Sequence, residues 1–217
     1  MRQKPRRGGA YVEFALSLLV LIPLLLGVAG LGISMLRQMQ PVQVARDAGH
    51  MFARNTDFTL QGNQQILSTI AGPLGLTAGS GALGTAGAGN AVVILSMIQY
   101  VDASLCAQDG LAANTASCPN YQQWVFTKQI VVGNRTLDVS NLGTPPSTIL
   151  VNGQISTDNQ CKNPNALVNS TNPWPGKSSP DIALLSGLSV YVSEAAALGF
   201  QMPPFSSGTQ TYAQLYF

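Results

Sequence analysis

Side chains that could carry out catalysis are scarce in this 217-residue chain, which has one histidine, three cysteines and nine acidic residues. His50 is the only imidazole, so a cysteine or serine nucleophile has no base close to it in the sequence. The acidic residues are scattered, and no pair of them suggests the two carboxylates of a glycosidase. These observations predict a protein that is not an enzyme and needs no cofactor, small-molecule substrate or metal.

Charge is sparse and unevenly placed. Only 9% of the residues are charged, against about 25% in a typical soluble domain. The first seven residues include four of the eleven basic residues, and the rest of the chain has seven basic and nine acidic ones. The rest of the chain therefore lacks the basic surface that binds phosphate, and nucleic acid is not an expected partner.

A long apolar segment follows this basic cluster. From Phe14 to Leu36 there are 23 consecutive uncharged residues, and a helix of that length spans about 34 Å, enough for a hydrocarbon core of about 30 Å. The positive-inside rule places its N-terminus in the cytoplasm. A cleaved signal peptide ending near Gly27-Val28-Ala29 is the alternative, although its apolar core would be unusually long. The uncharged stretch from Phe58 to Val101 is broken by glycines and Pro73, so a second span is disfavoured.

One carboxylate, that of Glu13, lies at the edge of the apolar segment. An ionised carboxylate in lipid is costly, so an acidic residue here suggests a function unless the side chain stays hydrated at the interface. The block Arg6-Arg7-Gly8-Gly9-Ala10-Tyr11-Val12-Glu13, followed by the long apolar helix, resembles the leader junction of TadE-like minor pilins (pseudopilins) of the tight-adherence (Tad, or Flp) pilus.

The resemblance implies that residues 1–8 are a basic leader that a prepilin peptidase removes. Cleavage between Gly8 and Gly9 makes Glu13 the fifth residue of the mature chain, and cleavage between Gly9 and Ala10 is the alternative. The cut exposes an α-amine in an apolar setting. Because an amine and a carboxylate buried together cost less than either alone, Glu13 is expected to pair with the amine of a neighbouring subunit in the filament core.

The resemblance also implies a location and partners. The protein is expected in the bacterial inner membrane as a single-pass protein with an exported C-terminal part, taking part in pilus assembly or priming for adhesion. Its expected partners are the peptidase, other Tad pilins, the inner-membrane assembly platform and the lipid bilayer. A pseudopilin of a type II secretion or type IV pilus system is the alternative, but its usual Phe-Thr-Leu-Ile-Glu motif is missing. A plain membrane-tethered binding domain is a further alternative.

The predicted fold is α+β and pilin-like, with a transmembrane helix over 9–36 that continues into an exported amphipathic helix over 37–56. The apolar positions of the second part, Val44, Ala45, Ala48, Met51 and Phe52, have helical spacing. Its block Val44–Gly49 also resembles the segment that follows the membrane helix in TadE-like proteins. We expect one helix from Gly9 to Asn55, bent at Pro41 and Gly49.

A short helix before Gly72 and a glycine-rich loop are predicted over 57–90, and an exported β-rich domain over 91–217. Its small antiparallel sheet would pack on the helix. Strand patterns occur at 92–101, 124–132, 148–151, 188–194 and 212–217.

Three cysteines follow the membrane segment. In an oxidising compartment, Cys106 and Cys118 are the first choice for a disulfide because they close a short loop. Cys161 would then be unpaired or intermolecular. Three reduced, partly buried thiols are the alternative.

Overall fold

The first helix dominates the architecture. The computed structural model describes residues 9–78, 89–168, 188–199, 201–202, 206–207 and 210–217. Helix α1 runs from Gly9 to Ala53 without interruption, through both Pro23 and Pro41. Among the described residues it is the one helix that is long and apolar enough to cross a membrane. In the uncharged stretch from 58 to 101, the described residues form a short helix, a 3₁₀ turn and a strand, and none of these is a second span.

Helix α1 ends two residues earlier than expected, and hydrogen bonds explain where it stops. Asn55 adopts a positive φ of 67°. Its N–H donates to the carbonyl of Phe52, and the N–H of Thr56 donates to that of Met51. This pattern is a Schellman motif, in which an asparagine can replace the usual glycine. The motif reverses the chain, which then returns along α1.

A six-stranded antiparallel sheet forms the rest of the core, in the order β3-β4-β2-β1-β5-β8. Its strands are β1 (Ala91–Tyr100), β2 (Trp124–Gly133), β3 (Leu150–Val151), β4 (Gln154–Ile155), β5 (Ser189–Ala197) and β8 (Thr211–Tyr216). Strands β6 (Gln201–Met202) and β7 (Ser206–Ser207) pair separately. The remaining helices are α2 (Gln61–Ile70), α3 (Ala103–Gln108), α4 (Thr157–Lys162) and two 3₁₀ turns, Gly72–Leu74 and Pro164–Ala166.

The C-terminal third of α1 packs against one face of this sheet. Val44, Ala45, Ala48 and Phe52 are buried there in the main hydrophobic cluster. The facing positions on β5 and β8 include Ala195, Ala197 and Ala213. Small residues on both sides bring the helix close to the sheet. The predicted α+β arrangement of a long apolar N-terminal helix and an antiparallel sheet is therefore confirmed.

Several local elements differ from the sequence prediction. The strand expected over 148–151 is reduced to Leu150–Val151, and β5 extends to Ala197. Helices α3 and α4 were not predicted from the sequence. Both are capped by side chains, because Asp102 accepts from the N–H of Leu105 and Ser156 from that of Asn159. Caps of this kind stabilise short helices that hydrophobic periodicity cannot reveal.

Adjacent residues of α2 provide a test of the core. Leu67 is fully buried in the main hydrophobic cluster, whereas Ile66 is half exposed. We expect Leu67→Ala to lower the free energy of unfolding by about 2–5 kcal/mol, because it leaves a cavity. Ile66→Ala should change it by no more than about 0.5 kcal/mol. Denaturant unfolding of the full chain in detergent micelles measures both, and equal effects would contradict the packing described.

Candidate functional site

Most large apolar side chains in the N-terminal, apolar half of α1 are exposed. Phe14, Leu19 and Leu25 have 64%, 71% and 59% of their surface accessible. The sheet packs against α1 only beyond this half, where Val44 is the first large apolar side chain to be buried. An apolar surface of this extent is unstable in water and needs lipid or other apolar helices around it.

Glu13 is the only charged residue between Gly9 and Leu36. It is exposed on the first turns of α1, and the hydroxyl of Ser17 donates to its backbone carbonyl at 2.9 Å. Gly9 is the first described residue of α1, and apart from the adjacent helix backbone nothing lies within 4 Å of where a Cβ would be. The other predicted processing residue, Gly8, and the basic leader lie outside the described residues. Glu13 is therefore an isolated acid on an apolar helix, free to meet a group from another molecule.

The block from Val44 to Gly49 attaches this apolar helix to the sheet. Val44, Ala45 and Ala48 point into the core, while Arg46 and Asp47 are exposed. Gly49 lies under the terminal ring of Phe217, whose nearest carbon would be 2.1 Å from an added Cβ. Only one side of α1 packs against the sheet here, which explains why the small residues of this block are buried and its charged residues are exposed.

The three cysteines come together in a second hydrophobic cluster, separate from the one that contains α1. Cys106 and Cys118 form a disulfide, and the sulfur of Cys161 completes a buried group whose members lie within 4.8 Å of one another. Burial and the nearby Asp109 carboxylate raise the pKa of the Cys161 thiol. With two sulfurs in a disulfide, this group offers only one thiolate, fewer than the ligands of a zinc site.

The closeness of Cys161 to the disulfide leads to a prediction about pairing. In an oxidising compartment, Cys118→Ser should leave Cys106 to pair with Cys161, so that the number of free thiols falls from one to zero. Thiol titration of the unfolded chain and peptide mapping would detect the new bond. The double variant Cys118→Ser/Cys161→Ser should lose about 2–4 kcal/mol of stability. Two free thiols in the single variant would contradict the prediction.

A buried carboxylate on β5 was not singled out by the sequence. Glu194 is 1% exposed and holds the loop before β3. It accepts hydrogen bonds from the hydroxyl of Ser140, the backbone N–H of Asn141 at 2.9 Å and the hydroxyl of Tyr212 at 2.6 Å. Burial outweighs these bonds and raises the pKa of Glu194. The one feature of the sequence that could have drawn attention to Glu194 is its position as an acidic residue in a strand with alternating apolar and polar residues.

The raised pKa makes stability depend on pH. Folded Glu194 keeps its proton at pH values where the unfolded side chain, with an ordinary pKa of 4.5, has lost it. The free energy of unfolding should therefore fall as the pH rises from about 4.5 through the raised pKa, by at most about 1.4 kcal/mol per pH unit.

Two variants separate this effect from those of other acids. In Glu194→Gln, the free energy of unfolding should depend less on pH over that range than in the wild type. In Tyr212→Phe it should depend more on pH, because the carboxylate loses a hydrogen-bond donor that favours its charged form. Unfolding curves of the full chain in detergent at several pH values measure the difference. A Glu194→Gln curve parallel to the wild type would refute the assignment.

When the chain is compared with known proteins, its N-terminal region matches a protein family. The family model described as TadE-like protein matches residues 8–50, about a fifth of the chain. No curated protein matches the chain, and no solved structure matches it. The matched segment contains Gly8, Gly9, Glu13, the exposed apolar helix and the block that docks on the sheet. The N-terminal segment of this chain, residues 8–50, is therefore similar to TadE-like proteins.

Proposed function

We propose that this protein is a minor pilin, or pseudopilin, that takes part in assembling or priming a Tad pilus for surface adhesion. The observation that supports this most is that the TadE-like match coincides with an exposed apolar helix containing one acid near its start. The proposed role is structural, not catalytic. Its partners would be a prepilin peptidase, other Tad pilins and the inner-membrane assembly platform.

In this proposal the apolar half of α1 has two successive environments. It first crosses the inner membrane with its N-terminus in the cytoplasm, as the basic residues before Gly8 favour. After cleavage between Gly8 and Gly9 it passes into the filament, where lipid contacts are exchanged for contacts between helices. Both environments are apolar, so the exchange leaves little hydrophobic driving force, and other proteins must supply the energy.

Glu13 gives this exchange its specificity. Cleavage creates an α-amine on Gly9, and in an apolar filament that amine needs a counter-charge. Glu13 of a neighbouring subunit provides one, since no other charged side chain lies between Gly9 and Leu36. Pairing between subunits also defines the axial stagger of adjacent helices, because an unpaired charge in an apolar core is strongly unfavourable.

The N-terminus of the mature protein tests the proposal. In cells with the cognate prepilin peptidase, mass spectrometry of the full-length protein should find Gly9 as the first residue. The uncleaved chain should accumulate when the peptidase is absent. A mature protein that starts at Met1, or near Gly30 after signal-peptide cleavage, would overturn the proposal in favour of a tethered or secreted domain.

A further inference from the structure

A free thiol lies against a disulfide in the second hydrophobic cluster. Cys106 and Cys118 are bonded, Cys161 is free and buried, and the three sulfur atoms lie within 4.8 Å of one another. Each sulfur comes from a different segment, since Cys106 is in α3, Cys118 in the turn before β2 and Cys161 in α4. Thiol–disulfide exchange starts when a thiolate attacks one sulfur of a disulfide, so the folded chain already holds the reactants of that reaction together.

The contacts around Cys161 hold its sulfur against α3. The thiol donates to the carbonyl of Leu105, the residue before Cys106, with 3.7 Å between sulfur and oxygen. Asp109, directly after α3, and Lys162 in α4 form an ion pair at 3.4 Å. Helices α3 and α4 are therefore in contact without a covalent bond between them. A bond between Cys106 and Cys161 would join two segments that already pack together.

The turn that contains Cys118 is the segment that can release its sulfur. Residues 112–117, directly before Cys118, are all exposed and form no helix or strand. The turn is also attached to α4 by Asn120, whose side-chain amide donates to two carbonyl groups at the end of that helix, both at 2.8 Å. These hydrogen bonds do not involve sulfur, so they remain when the disulfide breaks. Cys106, in contrast, is fixed in the backbone of α3.

We infer that Cys161 exchanges with this disulfide in the wild-type chain. The Cys161 thiol loses its proton to water, and the thiolate attacks the sulfur of Cys106. The Cys106–Cys161 bond forms as the Cys106–Cys118 bond breaks, and the Cys118 thiolate takes up a proton. One disulfide and one thiol are present before and after, so no oxidant or reductant is needed. The pairing expected in Cys118→Ser is different, because it oxidises two thiols.

The exchange moves the covalent link to another part of the fold. Cys106 and Cys118 are only 12 residues apart, and their bond closes the loop between them. The new bond encloses β2, β3 and β4 between α3 and α4, and so ties the β3-β4-β2 end of the sheet to α3. The segment 107–117 then loses its covalent closure. The chain thus has two covalent forms, whether or not it is a pilin.

Folding and charge control when the exchange occurs. Closing the short loop costs less entropy in the unfolded chain, so Cys106–Cys118 is favoured until α4 packs against α3. In the folded chain, burial and then the carboxylates of Asp109 and Asp158 raise the pKa of the Cys161 thiol, while Lys162 lowers it. The segment 110–123 adds no acidic or basic residue. Below the raised pKa the thiolate fraction, and with it the rate of exchange, rises about tenfold per pH unit.

Mapping the free thiol tests the inference on the full chain in detergent micelles. Protein purified at mildly acidic pH, where thiolate is scarce, is shifted to several pH values from neutral to mildly alkaline without oxidant or reductant. Samples are acidified at intervals to stop exchange, unfolded in acidic denaturant, alkylated at the free thiol and digested with an acid-stable protease. Mass spectrometry then identifies the cysteine that carries the label.

The label is expected at both Cys161 and Cys118, with one free thiol per chain throughout. The share at Cys118 should become constant about tenfold sooner for each pH unit, and at a rate independent of protein concentration. A label that stays at Cys161 at every pH would overturn the inference. A label at Cys106 would overturn the assigned link between α3 and α4, and disulfide-linked dimers would replace an internal exchange with one between molecules.

Three variants identify the attacking group. Cys161→Ser should carry no label, because its other two cysteines stay in the disulfide. Asp109→Asn should accelerate exchange at a given pH, because it removes the carboxylate that raises the pKa of the thiol most. Asp158→Asn is its matched control, since Asp158 also pairs with Lys162 but affects the thiol less. Label in Cys161→Ser, or no acceleration in Asp109→Asn, would assign the cleavage to another nucleophile and overturn the inference.

Discussion

A Glu13→Ala variant is expected to reach the membrane at wild-type levels and yet to enter no pili. Removing the side chain leaves the helix more apolar, so insertion should not suffer. In the filament, however, the α-amine of the neighbouring subunit would lose its counter-charge. Leaving one partner of a buried ion pair unpaired costs about 3–5 kcal/mol, which corresponds to roughly 100-fold to 4000-fold weaker association per contact. Fractionation of cells, followed by quantification of the subunit in sheared pili and in membranes, measures both outcomes.

Further substitutions separate charge from packing. Glu13→Gln keeps the size and hydrogen bonding of the side chain but not its charge, so it should fail as Glu13→Ala does. Glu13→Asp keeps the charge on a shorter side chain and should restore assembly in part. Ser17→Ala is a matched control one turn away, because its hydroxyl donates only to the Glu13 carbonyl. Normal piliation with Glu13→Gln would rule out the ion pair.

A Gly8→Val variant is expected to keep its leader. The resemblance to TadE-like proteins implies cleavage directly after a glycine, and a branched side chain there crowds the bond to be cut. Intact-mass measurement should find the chain starting at Met1 and no species starting at Gly9. The uncleaved chain has no α-amine in the apolar segment and keeps four basic residues before it, so this variant should also be absent from pili.

The neighbouring glycine supplies the control for this experiment. Gly9→Ala changes the other side of the same bond to another small residue and should still be cleaved, giving a mature chain that begins with alanine. Gly8→Val protein that is nevertheless cut to Gly9 would contradict the assigned bond. A wild-type chain that begins at Ala10 would move the cut by one residue and make Glu13 the fourth mature residue.

Some parts of the fold could be predicted from local sequence patterns, and others could not. The stripe from Val44 to Phe52 predicted both a helix and its buried side, because the period of a helix is a local property. The strands β1 and β2 likewise follow from runs of branched and aromatic residues. The length of β3 was overestimated, because its two residues form a strand only by pairing with β4. Helices α3 and α4 were missed because each depends on a single capping side chain.

The residues of the candidate site also divide into those that the sequence could identify and those that it could not. Glu13 stands out in the sequence because a charge beside 23 uncharged residues is conspicuous whatever the rest of the chain does. Glu194 does not, because its partners Ser140 and Asn141 are more than 50 residues away. The exposure of Ile66 is equally invisible, since an isoleucine next to Leu67 in a short helix looks like a second core residue.

By itself the sequence determined that a cluster of basic residues precedes an apolar helix with one acid, and that a sheet-forming region follows. These features depend on composition and on spacing along the chain, which folding does not alter. Only the tertiary structure decided that Cys161 lies beside the disulfide, that Glu194 is buried and hydrogen-bonded to Ser140, and that the end of α2 lies beside α1 near Gln40 and Gln43. These relations depend on which distant segments come into contact. The packing of the whole core selects those contacts, and local periodicity carries no information about them.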